Sequence, residues 1–151
     1  MLPESSDKTH YEIKDAQRFI EATTQQFDLI VVDIFTGSES PKWLLQPQTL
    51  YNLSLRLSPQ GAIAWNLLIE NETEFSHFYG QLREQFRQQT LCLESEENEN
   101  ILAYALNFTP TKYSMSEHIN LAHELADRYS LPMHTILSVI YSINPVDSGV
   151  I

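Results

Sequence analysis

The sequence has 151 residues, 42% of them hydrophobic, which suits one domain with a substantial core and is too apolar for a disordered chain. Its formal net charge of −11 argues against nucleic acid and anionic membranes as partners, whereas it favours solubility and would attract a small cationic molecule. The single cysteine, Cys92, excludes an internal disulfide, and its apolar neighbours indicate a buried thiol.

Targeting and membrane segments are not predicted. Residues 1–7 contain no basic region followed by an apolar stretch, so we expect no secretory signal. No apolar run approaches the about 20 residues that a membrane-spanning helix needs. We therefore expect a cytoplasmic protein.

The first predicted elements surround two aspartates. Weak alternation over residues 9–14 predicts a short strand, and Asp15 then precedes apolar residues at helical spacing, which predicts a helix over residues 16–22. Residues 27–35 are almost continuously apolar, which is typical of a strand covered on both faces. Turn residues predict a loop over residues 36–41.

Helices and strands alternate through the middle of the chain. We expect a helix over residues 47–57 ended by the turn residues 58–61, a strand over 62–68, a helix over 72–87, and an antiparallel hairpin of strands 90–93 and 101–106. Such alternation predicts an α/β fold with a mainly parallel sheet.

After Pro110 the pattern becomes purely helical. Amphipathic spacing predicts one helix over residues 114–129 and a second, more apolar helix over residues 132–143. We expect these two helices to form a hairpin, so that residues 1–109 make an α/β body and residues 110–151 a helical hairpin and tail.

Three polar residues follow predicted strands, and ligands of open α/β sheets bind at the carboxyl ends of parallel strands. Asp15 suits either ligand binding or the N-cap of the following helix. Asp33 interrupts a buried apolar run, and a charge kept at such a cost favours a functional role. For Asn66 we expect a structural hydrogen bond.

Six short segments occur in an order and spacing known from one protein family. They are residues 15–20 (DAQRFI), 27–33 (FDLIVVD), 44–45 (LL), 50–51 (LY), 57–61 (LSPQG) and 99–105 (ENILAYA). Across roughly residues 9–107 the sequence thus resembles spermidine synthases and their relatives. The resemblance implies a partial Rossmann-like, methyltransferase-type three-layer sandwich, of which residues 1–109 are the C-terminal part.

The resemblance also implies roles for three residues. Asp15 and Ala16 would lie beside the adenine of S-adenosylmethionine or its decarboxylated form, and Asp33 would be the catalytic acidic residue that helps hold the attacking amine of a polyamine or other small substrate. The family has a second aspartate where this chain has Thr36, and a threonine hydroxyl is a poor base at neutral pH.

The family's glycine-rich cofactor turn has no counterpart among the four glycines, Gly37, Gly61, Gly80 and Gly149. We therefore expect a partial or inactive transferase of aminopropyl or methyl groups that binds no cofactor tightly, or a non-catalytic binding or assembly module on the same scaffold. The strand at residues 29–33 would lack a neighbour, which predicts a homodimer or a chain that supplies the N-terminal half.

His118 and His123 lie five apart, on different sides of their helix, so no metal site is expected.

Overall fold

The structure is a computed structural model that describes residues 9–69, 71–94, 100–144 and 150. Within these residues the chain forms four strands, five α-helices and a short 3-10 helix, Lys42–Leu45. The elements are α1 (Ala16–Ala22), β1 (Phe27–Val32), α2 (Pro47–Leu55), β2 (Leu57–Leu67), α3 (Glu72–Gln85), β3 (Thr90–Glu94), β4 (Ile101–Leu106), α4 (Met115–Tyr129) and α5 (Met133–Ile143).

The four strands form one mixed sheet in the order β1-β2-β4-β3. β1 is parallel to β2, whereas β4 is antiparallel to both β2 and β3. The α/β class and the hairpin of the last two strands are confirmed. The expectation of a mainly parallel sheet was wrong, because the hairpin places β4 between β2 and β3 and creates two antiparallel pairs.

One face of the sheet carries the main core. Alternate residues of β2 are buried there, and the ring of Trp65 meets Phe78 and Phe86 edge-on, with ring centroids 6.4 and 6.2 Å away. Burying one such large side chain stabilises the fold by about 1.5–3 kcal/mol. Leu50 and Leu53 of α2 and Leu82 of α3 lie in the same cluster, so these helices cover this face.

The second face is covered at one end. α5 packs on β3, and the side chains of Ile136 and Ile140 lie beside Leu91, Tyr104 and Leu106. α4 packs on α5, which confirms the predicted helical hairpin. The three-layer, partial Rossmann-like arrangement is therefore present, with the second helical layer limited to the β3 end.

Side chains close the N-termini of three helices. Asp15 caps α1, Asn71 caps α3, and Ser114 with Glu117 forms a reciprocal capping box at α4. Each cap satisfies backbone N–H groups that the first helical turn leaves unpaired. None of the described helices is both long and apolar enough to cross a membrane.

Three predicted elements differ from the structure. β1 ends at Val32 instead of residue 35, and its side chains Leu29 and Val31 are exposed, so the expectation of a strand covered on both faces was wrong. Residues 10–14 lie in no strand, because weak alternation does not supply the hydrogen-bonded neighbour that a strand needs. β2 begins at Leu57, and residues 58–61, predicted to end a helix, belong to this strand. The register of β1 on β2 shifts between Phe27 and Leu29. Phe27 pairs with Leu57 and Leu29 with Ala62, so the turn residues 58–61 form a bulge in β2.

Candidate functional site

Three polar side chains meet at one edge of the sheet. Asp33 directly follows β1, Asn66 lies near the end of β2, and Asn100 directly precedes β4. The Nδ2 atom of Asn66 donates a hydrogen bond to Oδ1 of Asp33 at 3.0 Å, and Nδ2 of Asn100 donates to Oδ1 of Asn66 at 2.7 Å. A hydrogen-bonded chain therefore runs across the ends of three neighbouring strands.

This chain of hydrogen bonds has a fixed direction. An ionised carboxylate only accepts hydrogen bonds, so the amide of Asn66 must turn its N–H group towards Asp33 and its oxygen towards Asn100. Asn66 and Asn100 are half-buried, whereas Asp33 is exposed. The two amides thus orient the carboxylate, and the expected structural hydrogen bond of Asn66 is confirmed.

The carboxylate of Asp33 keeps an oxygen for a ligand. Among the described residues, no hydrogen bond reaches Oδ2 of Asp33. An exposed, oriented carboxylate oxygen can accept a charge-assisted hydrogen bond from an ammonium group or a neutral one from a hydroxyl group. The catalytic role of Asp33 stays a prediction.

The loop after Asp33 is short and anchored at its far end. Thr36 donates a backbone hydrogen bond of 2.8 Å to Glu39, and Gly37 between them has a φ of 66°, which glycine adopts without strain. The buried Ser40 donates its backbone N–H to Leu68 at 3.1 Å and accepts from the N–H of Leu68 through Oγ at 3.0 Å. These bonds hold the loop that carries Thr36 against the end of β2.

Asp15 and Ala16 lie at the start of α1. Oδ1 of Asp15 accepts a hydrogen bond of 2.9 Å from the backbone N–H of Arg18, so the N-cap role is confirmed. Ala16 lines a cavity of about 300 Å³ that is also lined by Ile34, the residue after Asp33. Neither Asp15 nor Asp33 lines this cavity, and cofactor binding by Asp15 and Ala16 stays a prediction.

The histidines of α4 form separate contacts with α5. Nδ1 of His118 hydrogen-bonds the hydroxyl group of Tyr141, and the ring of His123 lies 4.0 Å from the ring of His134. Within the part of the chain that the structure describes, no group of three or more His, Cys, Asp or Glu side chains is placed to hold a metal ion.

Sequence reasoning missed Asn100 as a member of the site. Site residues were expected only at the ends of parallel strands. β4 runs antiparallel to β2, so the start of β4 lies beside the end of β2. Because the sequence predicted the hairpin, it also indicated that the residues just before residue 101, including Asn100, lie at this edge.

The sequence matches no protein-family model and no curated protein, whereas solved structures match its fold. Human methyltransferase-like protein 13, in a crystal structure with SAH, matches with a TM-score of 0.71 and 18% identity, covering 85% of this chain and 63% of that one. A probable spermidine synthase from Corynebacterium glutamicum ATCC 13032 matches with a TM-score of 0.61 and 17% identity, covering 76% and 44%.

At these identities the likeness concerns the fold alone. The chain spans less than two thirds of the length of either solved protein. Both matches agree with the resemblance found in the sequence. The chain therefore has a methyltransferase and spermidine-synthase-like fold, of which it represents a part.

Proposed function

We propose that the chain forms the acceptor side of a transferase site that uses S-adenosylmethionine or its decarboxylated form, with Asp33 holding the cationic amine of the substrate. The observation that carries this proposal is the hydrogen-bonded chain from Asn100 through Asn66 to Asp33, because it directs one carboxylate at the edge where ligands of α/β sheets bind. The fold and the net charge of −11 support it.

The proposed role of Asp33 is to bind and orient. An ammonium group held by a fixed carboxylate loses little further freedom before reaction, which is the way positioning contributes to catalysis. Thr36 stands in place of a second carboxylate and supplies no base at neutral pH. As a polyamine or other amine substrate reacts through its unprotonated form, this chain by itself favours binding over turnover.

The proposed cofactor side is formed by Asp15 and Ala16. The N-cap bond of Asp15 uses Oδ1, and no hydrogen bond among the described residues reaches Oδ2, which leaves an acceptor for an adenine amino group. No two of the four glycines lie close enough in the sequence to form a cofactor turn. The cofactor therefore needs contacts beyond these 151 residues to bind tightly.

A second candidate function is a non-catalytic binding or assembly module. It is favoured by two observations: Asp15 is engaged as a helix cap, and Thr36 replaces an acidic residue. Such a module would keep the scaffold without the amine site. Ligand binding at Asp33 separates the two functions.

The test is an NMR titration of the ¹⁵N-labelled chain with putrescine and spermidine. We expect weak binding, with a dissociation constant of about 1 mM or below, that shifts the side-chain amide signals of Asn66 and Asn100. Asp33→Asn should abolish these shifts. Asp28→Asn is the matched control, because it removes one exposed carboxylate near the other end of β1, where Asp28 accepts a hydrogen bond from Ser58.

The control decides between a site and a general charge effect. Both substitutions change the net charge by one unit, so non-specific attraction of a polyamine would weaken equally in both. Equal weakening, or shifts spread over the acidic surface without Asn66 and Asn100, would overturn the amine site and leave the binding-module function.

A further inference from the structure

A cleft with a volume of about 470 Å³ lies at the edge of the sheet opposite Asp33. It is bounded by α2, by the turn between α3 and β3, and by the end of β4 with residues 107–109. Small-molecule sites have volumes of about 300–1,000 Å³, so the cleft is large enough for one. Ligands of α/β sheets usually bind at the edge where Asp33 lies, and the fold therefore assigns no ligand to this cleft.

The electrostatic character of the cleft differs from that of the whole protein. Among the described residues that line it, Arg87 is the only one with a charged side chain, whereas the protein has a net charge of −11. The guanidinium group of Arg87 forms no ion pair with any residue that the structure describes. It can therefore donate charge-assisted hydrogen bonds to an anionic ligand.

The turn that carries Arg87 is strained and held in place. Arg87 and Gln88 have φ angles of 52° and 68°, a left-handed conformation that costs energy for residues other than glycine. The N–H group of Gln88 donates to the carbonyl oxygen of Arg83 at 2.7 Å, and that of Gln89 donates to Phe86 at 2.9 Å. Strain of this kind persists where the surrounding structure enforces it, and it is common at ligand sites.

Two side-chain amides in the cleft have a fixed orientation. Oγ of Ser54 donates to the carbonyl oxygen of Tyr51 at 2.7 Å and accepts from Nε2 of Gln85 at 3.0 Å. Nδ2 of Asn107 donates to the carbonyl oxygen of Ser58 at 3.0 Å. No described residue donates to Oε1 of Gln85 or to Oδ1 of Asn107. Both oxygens are therefore oriented acceptors for the hydroxyl groups of a ligand.

Aromatic side chains supply an apolar wall. Tyr51, which is 48% exposed, and Phe108 line the cleft together with Leu55. A ligand that fits this lining has an acid group for the guanidinium, hydroxyl groups for the amide oxygens and an apolar ring face for the aromatic rings. Sugars with an acid group combine these three properties.

We propose that the cleft binds a sugar that carries a phosphate or a carboxylate group. Arg87 binds the acid group, Gln85 and Asn107 accept hydrogen bonds from hydroxyl groups, and Tyr51 and Phe108 pack against the ring. The cleft and the candidate site at Asp33 lie at opposite edges of the sheet, so the two can be occupied independently.

The test is an NMR titration of the ¹⁵N-labelled full chain with glucose 6-phosphate and with glucuronate, which share a sugar ring and differ in the acid group. We expect a dissociation constant of about 1 mM or below for at least one of them, with shifts of the side-chain amide signals of Gln85 and Asn107. Glucose, which lacks the acid group, and inorganic phosphate, which lacks the ring, should bind at least about tenfold more weakly.

Two variants test the roles of the side chains. Arg87→Gln should raise the dissociation constant at least about tenfold, and it keeps the turn because glutamine, like arginine, has a side chain at the strained position. Gln85→Met, which removes an amide of similar size, should also weaken binding. Arg83→Gln is the matched control, because it removes one positive charge from a side chain that lies over the ring of Tyr79 and does not line the cleft.

Three results would overturn the proposal. The first is that neither acidic sugar binds below about 1 mM, or that glucose or inorganic phosphate binds as tightly. The second is that Arg83→Gln weakens binding as much as Arg87→Gln. The third is that the sugars shift Asn66 and Asn100, at the opposite edge, instead of the amides of the cleft. Neither sugar is an amine or a nucleoside, so the result is independent of the proposed function.

Discussion

The side-chain amide of Asn144 and the backbone of Cys92 exchange two hydrogen bonds of 2.8 Å each, in the interior of the protein. Asn144 follows α5 and also donates to the carbonyl oxygen of Ile140 at 2.9 Å. One side chain thus ends a helix, closes the edge of β3 and fixes α5 on the sheet. At the other edge of the sheet lies β1, which ends directly before Asp33 of the candidate site.

Replacing Asn144 with leucine should strongly destabilise the protein. The change leaves the buried N–H and carbonyl groups of Cys92 without partners, at a cost of about 2–4 kcal/mol in the free energy of unfolding. Asn120→Leu, at an exposed position of α4, is the control and should change it by less than about 0.5 kcal/mol. Urea denaturation measures both, and equal effects would show that Asn144 has no special role.

Gly61→Ala should destabilise the protein, whereas Gly80→Ala should stabilise it. A Cβ atom at Gly61 would lie 2.9 Å from the carbonyl oxygen of Phe27 and 3.0 Å from backbone atoms of Ser58, and backbone cannot move aside cheaply. We expect a loss of about 1–3 kcal/mol. At Gly80, in the exposed part of α3, no atom lies within 4 Å, so alanine should add about 0.5–1 kcal/mol. Thermal unfolding of both variants decides, and a stabilising Gly61→Ala would refute the close approach of β1 and β2.

The stability of the protein should fall at alkaline pH, partly through Cys92. Burial raises the pKa of the Cys92 thiol above its ordinary value of 9.0 and also raises the pKa of Tyr79. A raised folded-state pKa contributes stability that is full below the unfolded-state pKa and is lost as pH rises through the folded-state pKa. We expect the free energy of unfolding to decline above about pH 9, and Cys92→Ala to reduce that decline. If the free energy of unfolding declines equally in Cys92→Ala, the decline comes from the tyrosines and Cys92 does not contribute.

Much of the fold was predictable because the core obeys simple periodicity. The apolar runs of β1, β3 and β4 and the helical stripe of α4 were each recognisable from the sequence. The strand predicted over residues 9–14 was wrong because a strand exists only with a neighbour, which local pattern does not report. Likewise, the start of β2 depends on its irregular pairing with Phe27.

The candidate site was predictable only in part. Asp33 stood out because a charge interrupted an apolar run, and Asn66 followed from its place at a strand end. Asn100 joins them through the antiparallel return of β4, a long-range relation that depends on the order of strands in the sheet. Asn144 directly follows the helix predicted over residues 132–143, and its contact with Cys92, 52 residues away, was beyond local reasoning.

The most direct test of the proposed function is isothermal titration calorimetry of the folded chain with S-adenosylmethionine, its decarboxylated form and methylthioadenosine. We propose that these 151 residues carry the acceptor side of a transferase site, with Asp15 and Ala16 as the contacts for a nucleoside. We therefore expect no binding tighter than about 1 mM for any of the three compounds. A micromolar dissociation constant for one of them would contradict it, because the chain would then contain a complete cofactor site.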